Sequence, residues 1–141
     1  MSWTRRTIFA AIAILFGAAA SQLWAAALDF ETYKTRVEPI FLKKRPGHAR
    51  CVVCHEANNS PFRLQPRPKD GAAWSDEESR RNFENVSKLV VPGNPDKSRL
   101  LLHPLSHDAG GDLFHNGGEQ FTSKDDPDWK TIADWVRGGG K

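Results

Sequence analysis

The two cysteines of this 141-residue chain stand three positions apart, and a histidine directly follows the second one. The segment is Cys51-Val-Val-Cys54-His55. Because the chain contains no other cysteine, neither thiol can form a disulfide with a distant segment. Any fold of this chain therefore has to leave room beside the two thiols and the imidazole for the group that binds them.

Cys-x-x-Cys-His is the attachment signature of c-type haem. Two thiols one helical turn apart can add to the two vinyl groups of a porphyrin, and the adjacent imidazole then lies under the iron as an axial ligand. The motif predicts one covalently attached haem c. Cys51 and Cys54 would form the thioethers, and His55 would be the proximal iron ligand.

Three other uses of the two thiols stay open. A thioredoxin-like redox pair requires a βαβ context, which the sequence does not show. A zinc site requires two further ligands at a suitable spacing, and the four other histidines form no compact pair. A disulfide between Cys51 and Cys54 is the third alternative, since an exported chain meets an oxidising compartment.

The N-terminal segment predicts export. Two arginines precede an almost unbroken apolar run at 7–20, and small residues at 25–27 precede the first polar stretch. This three-part pattern predicts a signal peptide over 1–27, a periplasmic or otherwise exported location, and a single domain over 28–141. An uncleaved membrane anchor is the alternative, since roughly 20 apolar residues span a bilayer.

Two of the three net positive charges come from the predicted leader. Without Arg5 and Arg6 of the leader, 18 basic side chains remain against 17 acidic ones, so the body is almost neutral and a nucleic-acid partner is not predicted. Four cations near the cysteine motif predict a docking surface for an acidic redox partner, with an ordinary solvated surface as the alternative. These cations are Lys43, Lys44, Arg45 and Arg50.

The periodicity of apolar residues predicts an all-α body with about four short helices and long loops. No segment alternates convincingly with period two, which a half-buried strand requires. The predicted helices run from Leu28 to Lys44, from Ser75 with a capping box to Glu78, from Asn94 to before Pro104, and from Asp126 to Gly138.

With these features together, the chain resembles the small monohaem cytochromes c of class I type. The resemblance rests on Cys51 to His55 just after a first amphipathic helix, on the Pro-Gly-Asn-Pro-x-x-Ser-x-Leu-Leu stretch at 92–101, and on a C-terminal helix containing Trp135. It implies a cytochrome c-like fold around one haem, in which the first and last helices cross. The residues implied at that crossing are Phe30, Val37 and Phe41 against Trp129, Ile132 and Trp135.

The chain departs from that family at the second axial position, where a methionine is usual. Its only methionine is Met1, in the leader. The favoured distal ligand is His115, on the glycine-rich loop where the resembled domains place their methionine. His103 and His107 are the alternatives, and a site that is open or bound by water is another.

Ligation by two histidines predicts a low reduction potential, because methionine ligation raises it. The predicted function is a one-electron carrier for redox protein partners rather than an enzyme. The alternative is a haem peroxidase or a gas-sensing module with an open or labile distal site, in which His107 and Arg99 would be the nearby acid–base groups.

Overall fold

The computed structural model describes residues 27–56, 60–69 and 72–138, so nearly all of the predicted leader lies outside the described residues. The described part is all-α, as predicted, and contains two isolated β-bridges but no strand. Within it, no helix has the length and apolarity needed to cross a bilayer. The helices are α1 (Phe30–Thr32, Tyr33–Val37 and Glu38–Leu42, consecutive), α2 (Cys51–His55), α3 (Asp76–Ser87), α4 (Arg99–Leu102) and α5 (Pro127–Val136), with 3-10 turns at Pro95–Lys97 and His107–Ala109.

Helix α1 changes pitch in its middle. Its central segment is a π-helix, in which the Glu38 N–H donates to the Tyr33 carbonyl five residues earlier. Pro39 follows directly; it has no N–H, and its ring crowds the carbonyl four residues before it. A widened turn relieves that crowding. The distortion therefore lies ahead of Pro39.

Helix α3 begins with the predicted capping box. The Ser75 N–H donates to Glu78 Oε2 at 2.9 Å, and the Glu78 N–H donates to Ser75 Oγ at 3.3 Å. Each side chain therefore satisfies one backbone donor that the first helical turn leaves without a partner.

The helix predicted from Asn94 is two short pieces, and Asn94 makes no side-chain cap. Between the pieces lies Ser98, whose side chain is buried. Its hydroxyl donates to the Asn94 carbonyl at 2.8 Å and accepts the Val91 N–H at 3.0 Å. A serine that bonds nearby backbone groups competes with the backbone hydrogen bonds of a helix, which explains why the helix is interrupted at Ser98.

Helix α5 begins and ends as predicted. Asp126 Oδ1 accepts the N–H groups of Asp128 and Trp129 at 2.8 and 3.3 Å, and Gly138 ends the helix with φ +82°. All members of its predicted apolar face are buried. They are Trp129, Ile132, Ala133 and Val136.

The first and last helices pack against each other. The ring centres of Tyr33 and Trp135 lie 5.5 Å apart, and Trp135 Nε1 donates to the Asp29 carbonyl at 2.9 Å. Phe30 packs instead on Phe83 of α3, edge to face, with ring centres 5.4 Å apart. The aromatic residues of three helices therefore share one core.

Arg45 joins the segment between α1 and α2 to the start of α5. Its guanidinium pairs with Asp126 at 3.0 Å and with Asp128, donates to the Gln120 carbonyl at 3.1 Å, and lies over the Phe121 ring. Its side chain is only 14% exposed. This interaction fixes the position of the cysteine motif relative to α5.

Candidate functional site

A cavity that opens to solvent lies beside α2. Apolar side chains from α1, α4 and α5 form much of its wall, among them Ile40, Phe41, Leu100 and Ile132. The ligands and attachment residues predicted from sequence converge here. Cys51, Cys54, His55, His103 and His115 all line the cavity, whereas His107 is exposed and does not.

His55 presents one ring nitrogen to the cavity as a potential ligand. Its Nδ1 lies 2.8 Å from the Phe62 carbonyl oxygen, and since a carbonyl only accepts, Nδ1 carries the hydrogen. Burial lowers the pKa of His55, which favours the neutral imidazole that binds metals. Nε2 is therefore the nitrogen with a lone pair, oriented by a backbone partner as metal-bound histidines generally are.

His115 faces His55 across the cavity. The two ring centres are 6.3 Å apart and the planes differ by only 7°. The bond from an imidazole nitrogen to a metal is about 2.0–2.1 Å long, so two such bonds plus two ring radii of roughly 1.1 Å give about 6.3 Å between ring centres. His115 Nδ1 donates to the Gly118 carbonyl at 2.6 Å, which again leaves Nε2 as the acceptor. Both imidazoles therefore line the same cavity with nearly parallel planes, and each has the tautomer of a metal ligand.

A second imidazole lies on the same side as His115. The His103 ring centre is 4.8 Å from that of His115, at an interplanar angle of 72°. His103 Nδ1 lies 2.8 Å from a carboxylate oxygen of Asp112. The sequence pattern did not reveal this histidine–carboxylate pair, because the two residues are nine positions apart in a loop without periodicity.

The two cysteines differ in exposure. Cys54 is exposed, whereas Cys51 is half-buried, and burial raises the pKa of the Cys51 thiol to about 11. Redox nucleophiles and zinc ligands act as thiolates, which this environment disfavours. Among the described residues, no group of three His, Cys, Asp or Glu side chains is arranged to hold a metal ion. The surroundings of Cys51 thus do not favour a redox cysteine pair.

The cavity wall carries two cations and, among its lining residues, no carboxylate. Arg50 and Arg99 both line it, and Arg50 Nε is buried without a hydrogen-bond partner in the described structure. A buried donor without a partner costs roughly 1–3 kcal/mol, so an acceptor on a bound ligand would stabilise this site. The wall therefore suits an apolar molecule that carries negatively charged groups.

The four cations predicted to form a docking surface have different environments. Lys43 pairs with Asp128 at 2.8 Å but is half exposed, and Lys44 donates to the His48 carbonyl at 3.0 Å on the surface. Arg45 is occupied by its internal ion pairs, and Arg50 lies in the cavity wall. The docking prediction now depends on Lys43 and Lys44.

The loop that carries His115 depends on a close backbone approach at Gly111. A Cβ at this position would lie 2.0 Å from the Leu105 carbonyl oxygen, so Gly111→Ala must displace the loop backbone. We expect about 1–3 kcal/mol of destabilisation in urea unfolding, as for other overpacking substitutions. The control is Asp108→Ala, because Asp108 is an exposed residue of the same loop. Equal stability of the Gly111→Ala variant and the unsubstituted protein would contradict this contact.

Comparisons with protein-family models, with curated proteins and with solved structures find no match to this chain.

Proposed function

We propose that this chain is an exported monohaem c-type cytochrome of class I type, a one-electron carrier with two histidine ligands. One observation carries the proposal. The parallel imidazoles of His55 and His115 face each other at 6.3 Å across a cavity that both cysteines of the Cys-x-x-Cys-His motif line. Attachment motif, ligand spacing and cavity are three separate requirements of such a site, and all of them meet in one place.

Cys51 and Cys54 would hold one haem c covalently, with His55 as proximal and His115 as distal ligand. When bound, the haem supplies the one-electron redox couple. The carbonyls of Phe62 and Gly118 orient the two rings and fix the tautomer in which Nε2 is free to bind. An imidazole in place of the usual methionine predicts a low reduction potential.

The remaining wall residues match the other parts of a haem. Ile40, Phe41 and Leu100 provide an apolar surface for the macrocycle and exclude water from it. Arg50 and Arg99 are the cations that could pair with its two carboxylates. Because the iron takes four ligands from the macrocycle, two histidines suffice, and a cluster of three protein ligands is not required.

An open-site enzyme or gas sensor has less support. Of the two acid–base groups considered for it, Arg99 lines the cavity, but His107 is exposed and lies outside the cavity wall, with its ring nitrogen 3.3 Å from the Gly111 carbonyl. His115 instead lies opposite His55, where an incoming ligand would have to bind. The arrangement favours a closed electron carrier.

The test is the spectrum of the protein produced in a host with c-type haem maturation. We expect covalently bound haem by the pyridine derivative, at one haem per chain. We also expect six-coordinate, low-spin iron without the near-infrared sulfur-to-iron band. Purified protein without covalent haem would overturn the proposal. A high-spin ferric spectrum that changes on adding CO or peroxide would favour the open-site alternative.

The charge of Arg50 is expected to affect the reduction potential. Arg50→Gln removes a cation from the cavity wall, so the oxidised form, which carries one more positive charge, becomes relatively more stable. We expect the potential to fall by on the order of tens of millivolts in a redox titration. Arg36→Gln is the control, because Arg36 is an exposed residue of α1 that does not line the cavity. An unchanged potential in the Arg50→Gln variant would show that Arg50 does not face the redox centre.

A further inference from the structure

We propose that His103 is a second distal ligand that can replace His115, so that two interchangeable imidazoles serve the distal side of the haem. This inference rests on the proposed function, because it assumes that a haem occupies the cavity. It adds a regulatory property: the carrier would have two ligation states with different reduction potentials.

The position of His103 supports the exchange. Both imidazoles line the same cavity, and their ring centres are only 4.8 Å apart. His103 directly follows α4, and its side chain is 33% exposed, so dense packing does not lock the ring in place. Departure of the His115 ring would open space beside His103.

The tautomer of His103 also fits a ligand. Its Nδ1 bonds to the Asp112 carboxylate at 2.8 Å; a carboxylate accepts, so this nitrogen carries the hydrogen and Nε2 has the lone pair. Asp112 is itself held on α4, because its backbone N–H donates to the Leu102 carbonyl at 3.0 Å. The His103–Asp112 pair is therefore a preassembled ligand attached to a helix.

His115 lies beyond that attachment point, and its own hydrogen bonds run to the neighbouring Gly118 of the same loop. Leu113 and Phe114, directly before it, are 83% and 72% exposed, so their side chains contribute little packing. Gly110 and Gly118 on either side of this stretch have φ of +93° and +78°. The segment that carries His115 can therefore move while the His103–Asp112 pair stays in place.

The two ligands would differ in donor strength. His115 is backed by the Gly118 carbonyl, whereas His103 is backed by the Asp112 carboxylate. A carboxylate partner makes a histidine a more basic ligand than a neutral carbonyl does. A more strongly donating ligand lowers the potential. In the exchange the bond to His115 Nε2 breaks and a bond to His103 Nε2 forms, and no electron or external reactant is consumed.

The experiment compares the ferric spectra and redox titrations of the holoprotein and three variants: His115→Ala, His103→Ala and the double variant. We expect both single variants to remain low-spin and the double variant to lose the low-spin signal. The potential of His115→Ala is expected below that of the unsubstituted protein. Adding Asp112→Asn to His115→Ala should raise the reduction potential, since His103 then loses its carboxylate partner. His107→Ala, outside the cavity, is the matched control and should change neither property.

A high-spin spectrum of His115→Ala would overturn the inference while leaving the proposed function intact, since His115 would then be the sole distal ligand. A high-spin spectrum of His103→Ala would also overturn it. So would a low-spin double variant, since neither histidine would then be required. Circular dichroism of each variant separates loss of a ligand from loss of the fold. Absence of covalent haem from the unsubstituted protein would instead refute the proposed function.

Discussion

The variant in which both Cys51 and Cys54 are replaced by alanine is expected to contain no covalently bound haem. Denaturation and acid extraction should release any remaining haem, and the polypeptide should have the mass of the apoprotein. The physical reason is that the two thiols are the only groups in the sequence that can form the thioethers. Mass spectrometry of the denatured protein measures the result directly.

The same variant should unfold at a lower temperature than the holoprotein. The wall of the cavity beside α2 includes the apolar side chains of Ile40, Phe41, Leu100 and Ile132. Losing a ligand that binds only the folded state removes its stabilisation. Val53→Ala is the matched control: Val53 lies between the cysteines, is 46% exposed, and leaves the motif intact. Equal covalent haem content in the double-alanine variant and this control would contradict the thioether assignment.

A substitution of Glu38 is expected to have a large effect on stability. Glu38 belongs to α1, is only 3% exposed, and its side chain contacts α3. Its carboxylate accepts hydrogen bonds from Ser79 Oγ at 2.6 Å, from Asn82 Nδ2 at 3.0 Å and, more weakly, from the Tyr33 hydroxyl at 3.4 Å. All three donors belong to fully buried residues. Glu38→Ala removes their common acceptor and should lower the free energy of unfolding by roughly 3–5 kcal/mol in urea titrations.

Glu38→Gln should cost far less. A glutamine can accept from Asn82 and Tyr33 through its oxygen and donate to Ser79 through its nitrogen, so the network survives. Glu31→Ala is the surface control, because Glu31 is an exposed residue in the first turn of α1. Equal losses for Glu38→Ala and Glu31→Ala would show that the buried network does not stabilise the fold.

The difference in free energy of unfolding between the Glu38→Gln variant and the unsubstituted protein is expected to depend on pH. Burial raises the pKa of Glu38 above its ordinary value of 4.5. A raised pKa means that the folded state binds the proton more tightly than the unfolded state. The stabilisation from Glu38 is therefore complete below pH 4.5 and is lost as the pH rises through the raised pKa.

The free energy of unfolding of Glu38→Gln, minus that of the unsubstituted protein, should accordingly increase with pH above about 4.5 and then level off. Urea titrations at several pH values give this difference, and the acidic groups common to both proteins cancel in it. A difference that is constant from pH 4 to 8 would contradict the raised pKa.

Local sequence signals predicted the helix ends where a cap is chemically complete. Ser75 with Glu78 and Asp126 with Pro127 each define a helix start within a few residues, because the donors and acceptors are neighbours in the chain. Asn94 with Pro95 also predicted a helix start, but Asn94 makes no side-chain cap. The hydroxyl of the buried Ser98 donates to the Asn94 carbonyl instead. A cap motif is thus reliable only where tertiary packing leaves its partners free.

The candidate site, like the helix ends, could be predicted from the sequence only in part. The sequence by itself determined the Cys51-x-x-Cys54-His55 spacing, the position of the only methionine at residue 1, and a short list of histidines, because these are matters of residue type and spacing. Only the tertiary structure decided which histidines share a cavity with His55. It places His103 and His115 there and leaves His107 outside, since loop paths around glycines have no periodicity that a sequence could reveal. The Asp112 partner of His103 and the cavity position of Arg50 likewise depend on contacts between segments that the local sequence does not encode.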